Sequence, residues 1–292
     1  MSNFVGLRSP KIFFITFGAG DKDMVAAANR VGDQALESHF FDQVDVLSHL
    51  DLPKNVTELF APNRFDEIRG FGFLAWKPFL INEKMKTLVD GDVLIYLDAG
   101  SEINKRGAAR FTYYLDFVAR NDVLVFPTFH QHRFWVKPHN ALRIETRSFF
   151  RNQVWAGLVM LRVGDLSRRI VSRWCDLAFQ DSGSALNDEV EEGEFYEEGF
   201  REHRHDQSIL SHIIFSENVP VPDRDETHHS PWEKGEEFPF LSLRNQTGVS
   251  KLEKIFRKSN QRAFVRLVCS RLNAVYLFRL IFQKNQLTRQ NY

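Results

Sequence analysis

Asp98 closes a run of five apolar residues, Val93 to Leu97, and is followed directly by Ala99-Gly100. A short, uninterrupted apolar run bounded by Asp-Gly before and Ala-Gly after reads as a strand buried on both faces of an α/β sheet. Its carboxyl tip then carries a carboxylate, at the end of the sheet where ligands sit in open α/β folds. A carboxylate there can hold a divalent cation by hard oxygen ligation. The competing reading is an ordinary turn, which Asp and Gly also favour. Three other places carry chemistry-bearing residues. Lys77 stands before Pro78, where proline suits the first turn of a helix and free N–H groups favour anions. Asp206 and Gln207 follow His203-Arg204-His205 at another helix start, where Asp is also a favoured N-cap. Ala156-Gly157 interrupts an apolar run, and glycine inside a strand marks close approach of a ligand or another backbone.

The elements that position these residues follow from periodicity. Lys11 to Phe17 reads as a strand closed by Gly18-Ala19-Gly20, and an alanine-rich helix follows from Met24 to Ser38. Val44 to Leu47 is a second strand, and Leu52 to Asn63 is turn-rich. A helix over Phe79 to Val89 leads through Asp90-Gly91 into the strand that ends at Asp98. A further helix, Arg106 to Arg120, precedes a strand over Asp122 to Pro127, and Gln153 to Val163 is a strand broken by its Ala-Gly pair. Leu166, Ile170, Val171, Trp174, Leu177 and Ala178 fall at helical spacing and read as core. Strand, helix and strand in repetition is the pattern of a parallel sheet with right-handed crossovers.

With 292 residues, 43% of them hydrophobic, the chain can bury one large α/β domain with appendages. Lys plus Arg (38) equals Asp plus Glu (38), so no nucleic-acid or bulk polyanion partner is expected. The distribution is uneven. Asp188 to Glu202 holds eight acids without an apolar period, and is expected to be a solvated loop or lid. Lys251 to Tyr292 holds ten Lys or Arg against Glu253 alone, interleaved with apolar residues at helical spacing. Such a basic amphipathic extension suits an anionic membrane surface, and equally a helix pair packed on the domain. Cys175 and Cys269 are too few for a disulfide scaffold and fit a reducing compartment. The N-terminus lacks the features of a signal peptide, and no run reaches the roughly 18 apolar residues of a membrane span. A cytoplasmic protein is expected, peripheral on the inner membrane face if the tail binds lipid. The sequons at Asn55 and Asn245 are then incidental.

Four segments occur in one order: RGFGFLAWKP from Arg69, YLDAG from Tyr96, WAGLVMLR from Trp155 and HRHDQSILS from His203. In this the chain resembles a group of bacterial glycosyltransferase-like proteins from polysaccharide loci. More distantly it is similar to glycogenin-like and mannosyltransferase-like enzymes of the GT-A fold. The resemblance spans Lys11 to Phe215. It implies a GT-A-like, Rossmann-type mixed and mostly parallel sheet flanked by helices over residues 1–250, with the helical extension at 251–292. It implies transfer of a sugar from a nucleotide-sugar donor, UDP-linked, to a saccharide or lipid-linked saccharide in surface polysaccharide synthesis. The donor would meet Thr16, Gly18, Arg69, Lys77, Asp98, Ala99, Gly100, Ala156 and Gly157. Asp98 matches the first aspartate of the family's DxD metal motif, but Gly100 stands where the second acid belongs. Glu102, with His228 or its neighbour His229, would complete a Mn²⁺ or Mg²⁺ site with Asp98, imidazole favouring manganese. Arg69 or Lys77 would neutralise the leaving diphosphate, and Asp206 with Gln207 would face the donor sugar, Asp206 binding hydroxyls or acting as base. Retention and inversion both stay open.

Two other classes compete. A nicotinamide oxidoreductase is disfavoured because Gly18-Ala19-Gly20 runs into Asp21-Lys22-Asp23 and not into GxGxxG. A nucleotidyltransferase lacks its glycine-rich, arginine-containing loop after the first strand. The incomplete DxD also suits a degenerate transferase fold that binds sugar or acts as a scaffold without turnover.

Overall fold

A computed structural model describes residues 8–20, 22–58, 69–142, 146–190, 192–193, 195–228 and 237–252. Its elements in chain order begin with β1 (Ile12–Phe17), α1 (Lys22–Ser38), β2 (Gln43–Leu47), α2 (Lys54–Thr57), α3 (Arg69–Phe73), α4 (Trp76–Lys86), β3 (Val93–Leu97) and β4 (Ser101–Ile103). They continue with α5 (Ala108–Asn121), β5 (Val123–Leu124), β6 (Pro127–Gln131), α6 (Thr146–Phe149), β7 (Asn152–Val154), β8 (Leu158–Arg162), α7 (Asp165–Phe179), α8 (His205–Ser216) and β9 (Phe240–Ser242). The chain divides into a unit of Met1–Val249 and a unit of Ser250–Tyr292. Beyond Leu252 the basic extension lies outside the described residues.

The central sheet has the order β2-β1-β3-β8-β5. β1 pairs parallel with β2 (Phe13 opposite Gln43) and with β3 (Ile12 opposite Val93). β8 runs antiparallel to both β3 and β5, so the sheet is mixed with four of its five strands pointing one way. Strand composition explains the order. IFFITF and VLIYL are apolar on both faces and are central, whereas QVDVL is half-exposed throughout and forms an edge.

Alternation along the strands sorts the core into two layers. Phe13, Ile15, Leu94, Tyr96, Val159 and Leu161 pack under α4, α7 and α8. Phe14, Val93, Ile95, Leu97, Leu158 and Met160 pack under α1 and α5. The expected α7 stripe is core, with Trp174 fully buried. Cys175, beside that stripe on α7, is half-buried, and burial pushes its thiol up to about 12.

Three features depart from the sequence reading. The strand expected over Gln153 to Val163 is two strands, with β7 pairing β6 in a separate ladder and β8 entering the main sheet. α4 begins at Trp76, which puts Pro78 within its first turn. β4 pairs antiparallel with β9, Ser101 opposite Ser242, which brings the segment after β9 back over the turn at Asp98.

Candidate active site

Strand β1 lies between β2 and β3, and the connection from β1 to β2 passes through α1 on one face of the sheet while that from β2 to β3 passes through α4 on the other. The crevice this opens at the carboxyl ends of β1 and β3 is the standard ligand position of such folds. A cavity of ≈ 1000 Å³ sits there, lined by Phe17, Ala19 and Gly20 after β1 and by Asp98, Ala99 and Gly100 after β3. Its volume is at the upper end of the range for small-molecule sites, about 300–1,000 Å³. An adjoining hollow of ≈ 270 Å³ reaches Lys77, Asp206, Ala156 and Gly157.

The backbone around Asp98 is fixed from both sides. Asp98 N–H donates to Gly157 C=O at 2.8 Å, and Ser101 N–H donates back to Asp98 C=O at 2.9 Å, closing the turn. A Cβ on Gly157 would lie 2.6 Å from Asp98 Oδ2 and 2.3 Å from the Trp155 ring, so only glycine lets β8 approach this carboxylate. At Gly18 a Cβ would meet Ala28 Cβ and Met24 C=O at 2.6 Å, which locks the β1–α1 turn.

Behind the cavity lies a buried charge constellation. Lys77, 2% exposed, places Nζ 2.7 Å from Asp206 Oδ2 and 3.2 Å from Asp98 Oδ1, and donates to Ala156 C=O at 3.3 Å. Tyr96 donates its hydroxyl to Asp98 Oδ1 at 2.6 Å. Burial alone would lower the Lys77 pKa, but the charges of Asp206 and Asp98 outweigh it and hold the ammonium above its ordinary value. Burial pushes the Asp206 carboxyl up, against the opposing pull of Lys77. Burial, with the Asp98 charge, holds the Tyr96 phenol well above its ordinary range, so it stays a donor.

This geometry revises the sequence expectations for α8. Asp206 is not its N-cap. Arg204 holds that position without a side-chain cap, and Asp206 turns instead into the ion pair with Lys77. Gln207 faces the main cavity, its amide donating to Gln153 Oε1 at 2.8 Å. Gln153 in turn donates to Trp135 C=O at 3.1 Å, so β7 fixes the Gln207 rotamer.

Other expected residues are dispersed. Thr16 is fully buried and donates to Leu97 C=O at 2.8 Å inside the sheet; like Gly18, it positions the β1 turn and does not line the cavity. Arg69 lines the small hollow and pairs with Glu202. It opens a turn in which residues 70–74 all have positive φ, three of them non-glycine. Left-handed backbone of this kind stores strain, and it carries Phe71 and Leu74 into the cavity wall. Trp155 packs on His228 with ring centroids 4.8 Å apart. His203 and His205 are fasteners. His203 Nε2 donates to Ala185 C=O at 3.0 Å and His205 Nδ1 to Leu186 C=O at 2.8 Å, while Lys137 Nζ donates to Asn187 Oδ1 at 2.6 Å. Together they pin the root of the acidic segment. Asn245, the sequon residue, is fully buried.

The residues expected to bind a metal do not fit one. Glu102 is fully buried and turned away from Asp98, accepting from Asn245 Nδ2 at 2.6 Å and Gln34 Nε2 at 3.3 Å and lying 3.7 Å from Arg30. The chain reverses at Asp98–Gly100 and enters β4, so Glu102 points toward α1 and the Mn²⁺ or Mg²⁺ trio of Asp98, Glu102 and His228 is not assembled. His228 lines the cavity but spends Nδ1 on Asp225 Oδ2 at 2.8 Å. His229 lies outside the described residues. Among the described residues no three His, Cys, Asp or Glu side chains converge as a metal site.

Three arginines were missed in the sequence. Arg30 of α1 donates to Ala99, Ser101, Asn245 and Thr247 carbonyls at 2.8–2.9 Å, tying the Asp98 turn to the segment after β9. Arg204 and Arg244 line the cavity itself. Arg204 was visible within HRHDQ, but nothing around Arg244 marks it out.

No protein-family model matches the chain, and no curated protein does. Loose overlaps are found with solved structures. A glycosyltransferase involved in glycosylation of the major capsid of PBCV-1 is 14% identical with a TM-score of 0.44, covering 84% of this chain and 96% of that one. Mouse xyloside xylosyltransferase 1 is 12% identical with a TM-score of 0.40, covering 76% and 89%. The galactosyltransferase LgtC, in complex with donor and acceptor sugar analogs, is 11% identical with a TM-score of 0.41, covering 82% and 84%. Likenesses this distant assign nothing to this chain.

Proposed function

We propose that the protein is a glycosyltransferase that moves a sugar from a nucleotide-sugar donor, UDP-linked, to a saccharide or lipid-linked saccharide of a surface polysaccharide. The observation that carries this is the Asp98–Lys77–Asp206 constellation at the base of a cavity at the sheet's switch point. The cavity lining includes the aromatic residues Phe17, Phe71 and Trp76, which suit a nucleobase and ribose. It also carries polar groups, Gln207 and Arg204 beside Asp98, which suit a diphosphate and sugar. In the reaction the acceptor hydroxyl oxygen bonds to the anomeric carbon. The bond from that carbon to the phosphate oxygen breaks, the electron pair leaves on the nucleoside diphosphate, and one proton is released. Gln207, facing the cavity, is the residue assigned to the donor sugar, together with the Asp98 carboxylate. Asp206 is a positioning residue. Its charge, neutralised by Lys77, holds that ammonium against Asp98 and so fixes the carboxylate that meets the sugar.

The test is release of nucleoside diphosphate from a panel of UDP- and GDP-hexoses, with and without oligosaccharide acceptors. Release from one donor is expected, and Gln207→Ala and Asp98→Asn should each lower it about 100-fold or more with nucleotide binding retained. Nucleotide binding without release from any donor would favour the degenerate, non-catalytic reading.

A further inference from the structure

A large apolar side chain left singly in water is ordinary on a protein surface. Phe129 differs by its place. It is 81% exposed and belongs to neither core layer, and of the large hydrophobic residues exposed among those described it is the one that lines the cavity. Its chain neighbours Thr128 and His130 line the cavity as well. The backbone that presents it is held by a ladder. β6 pairs antiparallel with β7, Pro127 opposite Val154 and Gln131 opposite Asn152. Trp155 N–H donates to Phe126 C=O at 2.8 Å, and His130 N–H donates to Thr128 Oγ1 at 3.1 Å. A ring carried on such a ladder needs little ordering when a ligand arrives.

The sheet order tells which part of the cavity this ring serves. β3, which ends at Asp98, has β1 on one side and β8 followed by β5 on the other. β8 is antiparallel to both β3 and β5, so β5 ends where β3 ends, and its chain runs on into β6. Neighbouring strands are about 4.8 Å apart, which puts β5 about 10 Å from β3 on the side away from β1. Phe17, assigned above to the nucleobase, closes β1. Phe129 therefore reaches the cavity from beyond Asp98, on the side opposite the nucleobase. A pyranose carries hydroxyls around its edge and C–H bonds across its faces. An aromatic ring buries such a face and, being negative over its own face, attracts the C–H hydrogens. The same face repels a phosphate.

We propose that Phe129 is the platform for the acceptor: it stacks on the pyranose ring of an acceptor saccharide and makes that ring, not a lipid or a phosphate, the part that is recognised. The inference rests on the transferase reading above and names the acceptor for it.

The test is steady-state kinetics of the full chain with methyl hexopyranosides and the octyl glycosides of the same sugars as acceptors, on the parent, Phe129→Ala and Phe129→Trp. Calorimetry with UDP and GDP is run on all three, and thermal melts check the variants. Phe129→Ala should raise the acceptor KM about tenfold, equally for methyl and octyl glycosides. Its kcat at saturating acceptor and its nucleoside diphosphate affinity should stay within about twofold of the parent, as expected when uniform substrate binding is lost. Phe129→Trp should restore the parent KM, and the melting midpoint should hold because the residue is exposed. A parent-like acceptor KM in Phe129→Ala would overturn the platform while leaving the transferase reading standing. Weakened nucleoside diphosphate binding would give the ring to the donor, and an effect confined to the octyl glycosides would give it to a lipid; either result overturns the proposal. No release of nucleoside diphosphate by the parent with any donor and acceptor would overturn the transferase reading itself.

Discussion

Lys77→Met removes the cation between two carboxylates while keeping the length and apolar stem of the side chain. Lys77 and Asp206 are both 2% exposed, and Asp98 faces the same ammonium from the cavity side. Deleting one partner of a buried pair costs about 3–5 kcal/mol, because the remaining charge is left desolvated and unmatched. Here the orphaned Asp206 also faces a second carboxylate, which places the expected loss at the upper part of that range. For a domain of this size about 1 kcal/mol moves the midpoint by about 2–4 °C, so a fall of about 8–20 °C is expected. Asp206→Asn in the same chain removes the orphaned charge, so the double variant should recover about half or more of the loss. Urea denaturation of the four proteins in the cycle supplies the free energies. A loss under about 1 kcal/mol for Lys77→Met, or additive losses in the double variant, would refute the reasoning. Nucleoside diphosphate release should stay low in the double variant even where stability returns, because Asp98 is no longer held.

Three further outcomes follow from other contacts. Gly157→Ala places a Cβ 2.6 Å from Asp98 Oδ2 and 2.3 Å from Trp155, so turnover should fall about 100-fold with a loss of about 1–3 kcal/mol in urea. Arg30→Met strands four carbonyls of the Asp98 turn and the segment after β9, and a loss of about 3–5 kcal/mol is expected; a melt within 2 °C of the parent, about the smallest shift that 1 kcal/mol gives, would refute that role. Burial holds His132 down to about 3, His212 to about 4 and His203 well below 6.5. These residues bind protons in the unfolded chain below about pH 6.5 but not in the fold. Stability is therefore full above that pH and is lost as pH falls from 6.5 toward 4, by up to about 1.4 kcal/mol per pH unit per histidine. A flat melting profile over pH 4–7 would contradict the burial of all three.

What could be read in the sequence and what could not divides along chain distance. β1, β3, α5 and α7 follow local periodicity, and their apolar patterns place them where they are found. β8 is equally apolar, yet its antiparallel direction depends on the end of the sheet from which the chain enters it, and no local pattern encodes that. β9, three residues long, pairs with β4 from across the chain and leaves almost no periodic signal. The site divides similarly. Asp98 and Gln207 stand out because a strand end and a helix start are local features. The pairing of Lys77 with Asp206, and the close approach of the Arg244 backbone to Gly100, exist only after the sheet has brought β3, α4, α8 and β9 together. Glu102 misled because spacing along the sequence ignores the reversal between Asp98 and β4.

The most direct test is a crystal structure of the protein grown with UDP or GDP. The nucleotide is predicted to lie in the switch-point crevice, its base toward Phe17 and Phe71 and its diphosphate at the Asp98 end of the cavity. A nucleotide bound elsewhere, or one whose diphosphate turns away from the Asp98 end of the cavity, would contradict the proposed donor site.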